Sequence, residues 1–175
     1  MLIRRGDQIS YSKTILLGTA AGLSGAWVMT QFTRLWKILL PCTEKSETPP
    51  IPFSQEEWDS TSAIAEGIAS PLLGRALSLR EKKTGAVIVH YVVGGAGGAV
   101  YATLARRSTA ITWGRGAFFG FAVWLFANEL LMPVLGVTDK LGRYAWRQQA
   151  NSLGEHLVYA FTTDALYRRA GSRLG

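Results

Sequence analysis

The sequence predicts an all-α integral membrane protein: a four-transmembrane-helix bundle with one or two short interfacial helices between spans 1 and 2. Three observations carry that expectation. Apolar residues make up 48% of the 175 residues, an ordinary share, but they are gathered into long blocks nearly free of charge. Those blocks approach the roughly 20 residues a helix needs to cross the hydrocarbon core. The basic residues, 19 Lys+Arg against 12 Asp+Glu, sit between the blocks, where they meet anionic headgroups. Tyr11, Trp36, Trp113, Trp146 and Tyr167 fall near block ends, at the level that amphipathic rings prefer. The length suits a single membrane domain, 1–175. The same distribution argues against a soluble enzyme, a disordered chain and a nucleic-acid module. The net charge of +7 needs no nucleic acid to explain it, because no basic stripe interleaved with aromatics is present. Cys42 is the single cysteine, so no internal disulfide framework and no Cys-based zinc site is expected.

Span 1 covers 14–40. Thr14–Thr33 holds no charge, and the apolar run continues to Leu40, where Pro41 stops it. Arg4, Arg5 and Lys13 precede it as in a signal peptide. The block is nevertheless longer than a usual signal core and no small-x-small site follows, so a retained anchor is expected. The extramembrane stretch 41–83 opens with a linker rich in Pro, Ser and Glu, up to Asp59. Its second part, Ser60–Lys83, is apolar but interrupted by Glu66, Pro71 and Arg75. Ser70-Pro71 reads as an N-cap followed by proline at the first helical position, which predicts two short helices at the membrane surface.

Span 2 is 84–105, free of formal charge apart from protonation of His90, and span 3 is 117–136, carrying Asn128 and Glu129. Span 4 is 153–170; it is the shortest and holds Glu155, His156 and Asp164. Three spans plus an amphipathic tail is the alternative. Glycines four apart (Gly18 and Gly22, Gly94 and Gly98, Gly116 and Gly120) let helix backbones approach closely, and packing within the chain is preferred over a dimer face. Counting the tails and the two shorter connections, nine basic residues lie on the side of the termini against three in the last loop. The positive-inside rule then places both termini in the cytoplasm.

Ionisable residues inside spans are functional candidates. With alternating helices, span 2 begins, span 3 ends and span 4 begins on one side. His90 lies about 9 Å deep, Glu129 about 10 Å, and Glu155 and His156 roughly 3–5 Å, at 1.5 Å per residue. The polar cluster His90, Asn128, Glu129, Glu155 and His156 therefore falls in one leaflet. It has four readings: bundle stabilisation through satisfied hydrogen bonds, proton or small-solute movement, a divalent metal held by His90, Glu129 and His156, or haem b clasped by His90 and His156. Asp164 and Arg168, four apart, form an i,i+4 ion pair. The GGAGG run at Gly94–Gly98 lacks the Lys-Ser/Thr of a phosphate loop, and no nucleophile motif is present. No recognisable active site emerges, which leaves a non-enzymatic membrane protein. The lipid bilayer is its expected partner, and a further copy or a membrane complex docking on the long loop is open.

The second half also carries a familiar pattern. His90 is followed eleven residues later by Tyr101 in a Gly-rich span; then come Gly116-xxx-Gly120, Met132-Pro133-x-x-Gly136 and Gly154-Glu155-His156-Leu157-Val158-Tyr159, with Asp164 and Arg168-Arg169 after it. Over residues 84–170 this resembles the YagU-type bacterial inner-membrane proteins, small multi-span proteins without an assigned activity. Glu155 stands where the family usually has glycine. The resemblance implies a bacterial plasma-membrane location, His90 and His156 as matching positions, and no known reaction.

Overall fold

The computed structural model describes residues 10–39, 60–127 and 146–174. These form five α-helices and no strand: α1 (Tyr11–Leu39), α2 (Ser60–Leu73), α3 (Leu79–Ala105), α4 (Ala117–Trp124) and α5 (Trp146–Leu174). Two of them, not four, are long and apolar enough to cross a membrane: α1 over Tyr11–Trp36 and α3 over Leu79–Ala105. Most of the third expected span beyond α4 lies outside the described residues. The fourth lies within α5, a 29-residue helix that reaches further in both directions than 153–170 but is too polar to meet the same test.

Pro71 does not start a helix. It sits in the last turn of α2, where its missing N–H costs one bond near an end that is about to terminate anyway. Gly74, at φ +64°, then reverses the chain as a left-handed residue following the helix. Ser70 Oγ donates to Arg75 O (2.9 Å) rather than capping a second helix. The start of α3 is set instead by a capping box: Ser78 Oγ accepts from Glu81 N, and the Glu81 carboxylate accepts from Ser78 N (2.9 Å). Arg75 holds that carboxylate with both guanidinium nitrogens, at 2.7 and 3.0 Å. Among the described residues a single helix, α2, therefore lies between the two apolar ones, docked on α3 by Lys82–Glu66 (2.7 Å).

Side-chain and backbone pairings fix the helix directions. Gly18 and Gly22 of α1 face Gly98, and Thr30 faces His90, so α1 and α3 are antiparallel. Gly25 faces Thr163 and Thr33 faces Glu155, which makes α5 antiparallel to α1 as well. Gly116 and Gly120 meet α5 at Ala160, with α4 antiparallel to α5. All three glycine pairs are thus used inside the chain. A Cβ on Gly98 would stand 2.6 Å from Gly22 Cα, closer than any ordinary contact, so the α1–α3 crossing exists only because both positions lack a side chain.

Ala26, Tyr101, Phe119, Tyr159 and Ala160 form the buried core. The Tyr101 ring meets Phe119 edge-on, with centroids 5.1 Å apart. On α1 and α3 the exposed surface is apolar: only 28% of the apolar stretch of α1, and the same of α3, is buried. Leu16, Trp27, Val92 and Val93 are among the large side chains left exposed. Between α3 and α4 the chain makes a tight turn, Trp113–Gly116, with three successive residues at positive φ: Gly114, Arg115 and Gly116. Arg115 is the non-glycine among them, and the left-handed region costs an L-residue roughly 1–2 kcal/mol.

Candidate functional site

The polar residues inside the bundle form two layers. The first holds the described members of the expected cluster. His90, on α3, points at α1: its Nε2 lies 3.2 Å from Ala26 O and 3.2 Å from Thr30 Oγ1. Thr30 in turn donates to Ala26 O at 2.9 Å. A carbonyl only accepts, so Nε2 carries a proton, and in the neutral imidazole the Nδ1 lone pair is left over. One turn along α1, Thr33 donates to Glu155 Oε1 of α5 (2.9 Å), and Asn151 Nδ2 donates to the same oxygen (2.9 Å). His156 is tied to its own helix, with Nδ1 2.8 Å from Ser152 O; by the same argument Nδ1 is protonated and the Nε2 lone pair is left.

His90 and Glu155 are thus brought to one short stretch of α1, Ala26–Thr33, while the backbone carbonyl of His156 lies against Gly120 of α4. Asn128 and Glu129 lie outside the described residues. Among the described residues no three His, Cys, Asp or Glu side chains gather as a metal site. Among the described residues, the donors for a haem or metal reading are the two lone pairs at His90 Nδ1 and His156 Nε2. An imidazole that gives its other N–H to a backbone carbonyl is held as metal-ligating histidines usually are.

The second layer lies about 16 Å further along α3, eleven residues at 1.5 Å each. Eleven residues is close to three full turns, so Tyr101 shares a face with His90. Tyr101 is fully buried and its hydroxyl donates to Asp164 Oδ1 on α5. Arg168 Nε donates to the same oxygen at 2.6 Å, and its guanidinium reaches Thr112 O at 3.3 Å. The expected i,i+4 pair is therefore present, but it is no boundary ornament. Asp164 is 2% exposed and joins α3, α5 and the loop before α4. Beside it, Arg106 donates to the buried Thr14 hydroxyl (2.7 Å) and lies 4.7 Å over the Tyr11 ring. A third tyrosine contact, Tyr159 OH to Gly94 O at 2.7 Å, links the layers.

Sequence reasoning missed Thr30 and Thr33, since a threonine in an apolar helix is silent until its neighbour is known. It also missed the Tyr101–Asp164 contact. The 11-residue spacing from His90 was the available signal, because it places a second polar tip on the face that turns inward.

A family model described as a protein of unknown function (DUF1440) matches residues 36–165, a stretch that includes His90, Tyr101, Glu155, His156 and Asp164. No curated protein matches, and no solved structure does. The match covers most of the chain but leaves out the α1 partners Ala26, Thr30 and Thr33, as well as Arg168; the chain belongs to this uncharacterised DUF1440 family.

Proposed function

We propose that this is a non-enzymatic, multi-pass membrane protein in which the two polar layers hold the helices in register. Four spans, both termini cytoplasmic and a bacterial plasma-membrane location complete the reading, the last following from the YagU-type resemblance. One observation supports it most: His90 hydrogen-bonds α1 at Ala26 and Thr30, and Glu155 accepts from Thr33 of α1 as well as from Asn151 of its own helix, so both groups have partners inside the bundle. The alternating helix directions and the poorly buried apolar faces of α1 and α3 support the membrane part, because a water-soluble protein seldom exposes contiguous apolar surface on this scale.

A double-mutant cycle on Thr33→Val and Glu155→Gln, read by reversible unfolding in detergent, tests the role of the layer. A coupling of about 0.6–1.7 kcal/mol is expected for a contact between helices in a bilayer-like medium, with no proton flux in liposomes that the variants alter. Zero coupling, or flux abolished by Glu155→Gln in a protein that stays folded, would reject the structural role in favour of proton or solute movement.

The lone pairs at His90 Nδ1 and His156 Nε2 favour a second reading, a haem- or metal-binding redox component. Elemental analysis for iron, zinc and copper on purified protein, beside a His90→Ala, His156→Ala variant, decides it. Near-stoichiometric metal lost in the variant supports this reading, and metal-free folded protein rejects it.

A further inference from the structure

The end of the bundle that carries the second polar layer also carries an open groove of about 640 Å³, lined by Arg115, Phe161, Asp164, Ala165 and Arg168. Its walls differ in character. Phe161, Ala165 and Arg168 stand at i, i+4 and i+7 on one face of α5, so the wall passes from apolar to cationic within two turns. Phe161 is 44% exposed. The other wall is the left-handed turn, which places Arg115 at the mouth. That turn is held against α5 by Gly116, where a Cβ would stand 3.0 Å from Ala160 O. Trp113, 71% exposed, sits beside the mouth. Asp164 does not oppose an anion here, since it is buried and already shared by Arg168 and the Tyr101 hydroxyl. Arg115 has no such partner among the described residues. An arginine occupies a left-handed position flanked by two glycines, and backbone strain of this kind tends to collect at ligand clamps.

The geometry points to a binding site for an anionic phospholipid, with the phosphate between Arg115 and Arg168 and an acyl chain laid along Phe161. The amphipathic wall selects a lipid over a soluble anion, and the Arg115 guanidinium, beside an Arg168 already paired with Asp164, selects an anionic headgroup over a zwitterionic one. This rests on the membrane reading above.

The test is native mass spectrometry of the full chain, purified in detergent and offered equal phosphatidylglycerol and phosphatidylcholine. Selective retention of phosphatidylglycerol is expected. Arg115→Gly should lower that preference about fivefold, the weight of one basic side chain near an anionic surface. Because Arg115 has a glycine-like backbone, this variant should fold at least as well as the parent. Arg107→Gln, which removes a charge near this end that does not line the groove, should leave the preference unchanged. Equal retention of both lipids, equal losses in the two variants, or full displacement by inorganic phosphate would overturn the lipid assignment. Fractionation of the cells separates this from failure of the membrane reading. A protein extracted without detergent defeats both, whereas one that needs detergent but shows no headgroup preference defeats the lipid site alone.

Discussion

Replacing Gly98 by alanine puts the α1–α3 crossing under direct load. The added Cβ would stand 2.6 Å from Gly22 Cα and 2.7 Å from Gly22 N, with Gly18 O also in its way. Carbon atoms rest about 3.5–4.0 Å apart, so the helices must separate locally by roughly 1 Å. None of the obstructing atoms belongs to a side chain that could turn aside, since all are backbone. A gap of about 0.5–1 Å forfeits a quarter to a half of each dispersion contact along the seam, and overpacking of this kind costs roughly 1–3 kcal/mol. Gly67→Ala serves as the control, because a Cβ there meets nothing within 4 Å; it should gain about 0.5–1 kcal/mol in mid-helix. Both are read by denaturant titration in detergent micelles. A Gly98→Ala variant as stable as the parent, with Gly67→Ala behaving as stated, would refute the claim that these glycines set the crossing.

Other outcomes concern the second layer and the two helix connections. Tyr101→Phe removes one donor from the buried Asp164 carboxylate and should cost about 0.6–1.7 kcal/mol. Asp164→Ala should cost more, since it leaves the Tyr101 hydroxyl without its acceptor; equal losses in the same titration would contradict the shared bond. Arg115→Gly relieves a left-handed arginine and should stabilise the protein by about 1 kcal/mol, visible as a higher unfolding midpoint; a lower midpoint would show that the side chain is needed for the turn. At the start of α3, in the charged turn ahead of the uncharged run 84–105, the Arg75 guanidinium and then the Ser78 hydroxyl and backbone N–H hold the Glu81 carboxyl well below the usual carboxylate range. A depressed carboxylate contributes stability above its unfolded pKa of about 4.3, and that stability is lost as pH falls towards the folded value. The stability gap between parent and Glu81→Gln should therefore be constant above about pH 5 and narrow below about pH 4; a gap that widens on acidification would reverse the sign.

The two long apolar helices were legible because uncharged runs of their length leave few alternatives, and the glycine pairs even indicated which faces would meet. The join between α2 and α3 was misread. Ser70-Pro71 imitates a helix start, while the true cap, Ser78 with Glu81, sits beside a charged stretch, Arg80-Glu81-Lys82-Lys83, that reads as the end of the interrupted surface segment 60–83. The early start of α5 was obscured for a similar reason: polarity was taken as a boundary, although Asn151 and Glu155 are helical partners four residues apart. Within the site, His90 and Glu155 could be picked out as costly groups in apolar surroundings. Their actual partners could not, because Thr30, Thr33 and the Ala26 carbonyl gain meaning only once α1 lies between α3 and α5. The Asp164–Arg168 pair was legible from spacing, but its burial depends on Tyr101, 63 residues away.

A membrane bundle of this kind requires α3 to face lipid, and cysteine accessibility in intact membranes tests that directly. With Cys42 replaced by serine, Val92→Cys and Val93→Cys probe exposed apolar positions on α3, and Arg107→Cys probes the loop just beyond it. A water-soluble maleimide is expected to label position 107 and to reach 92 and 93 only after the membrane is dissolved in denaturing detergent. Labelling of 92 and 93 in intact membranes as fast as 107 would contradict the membrane bundle.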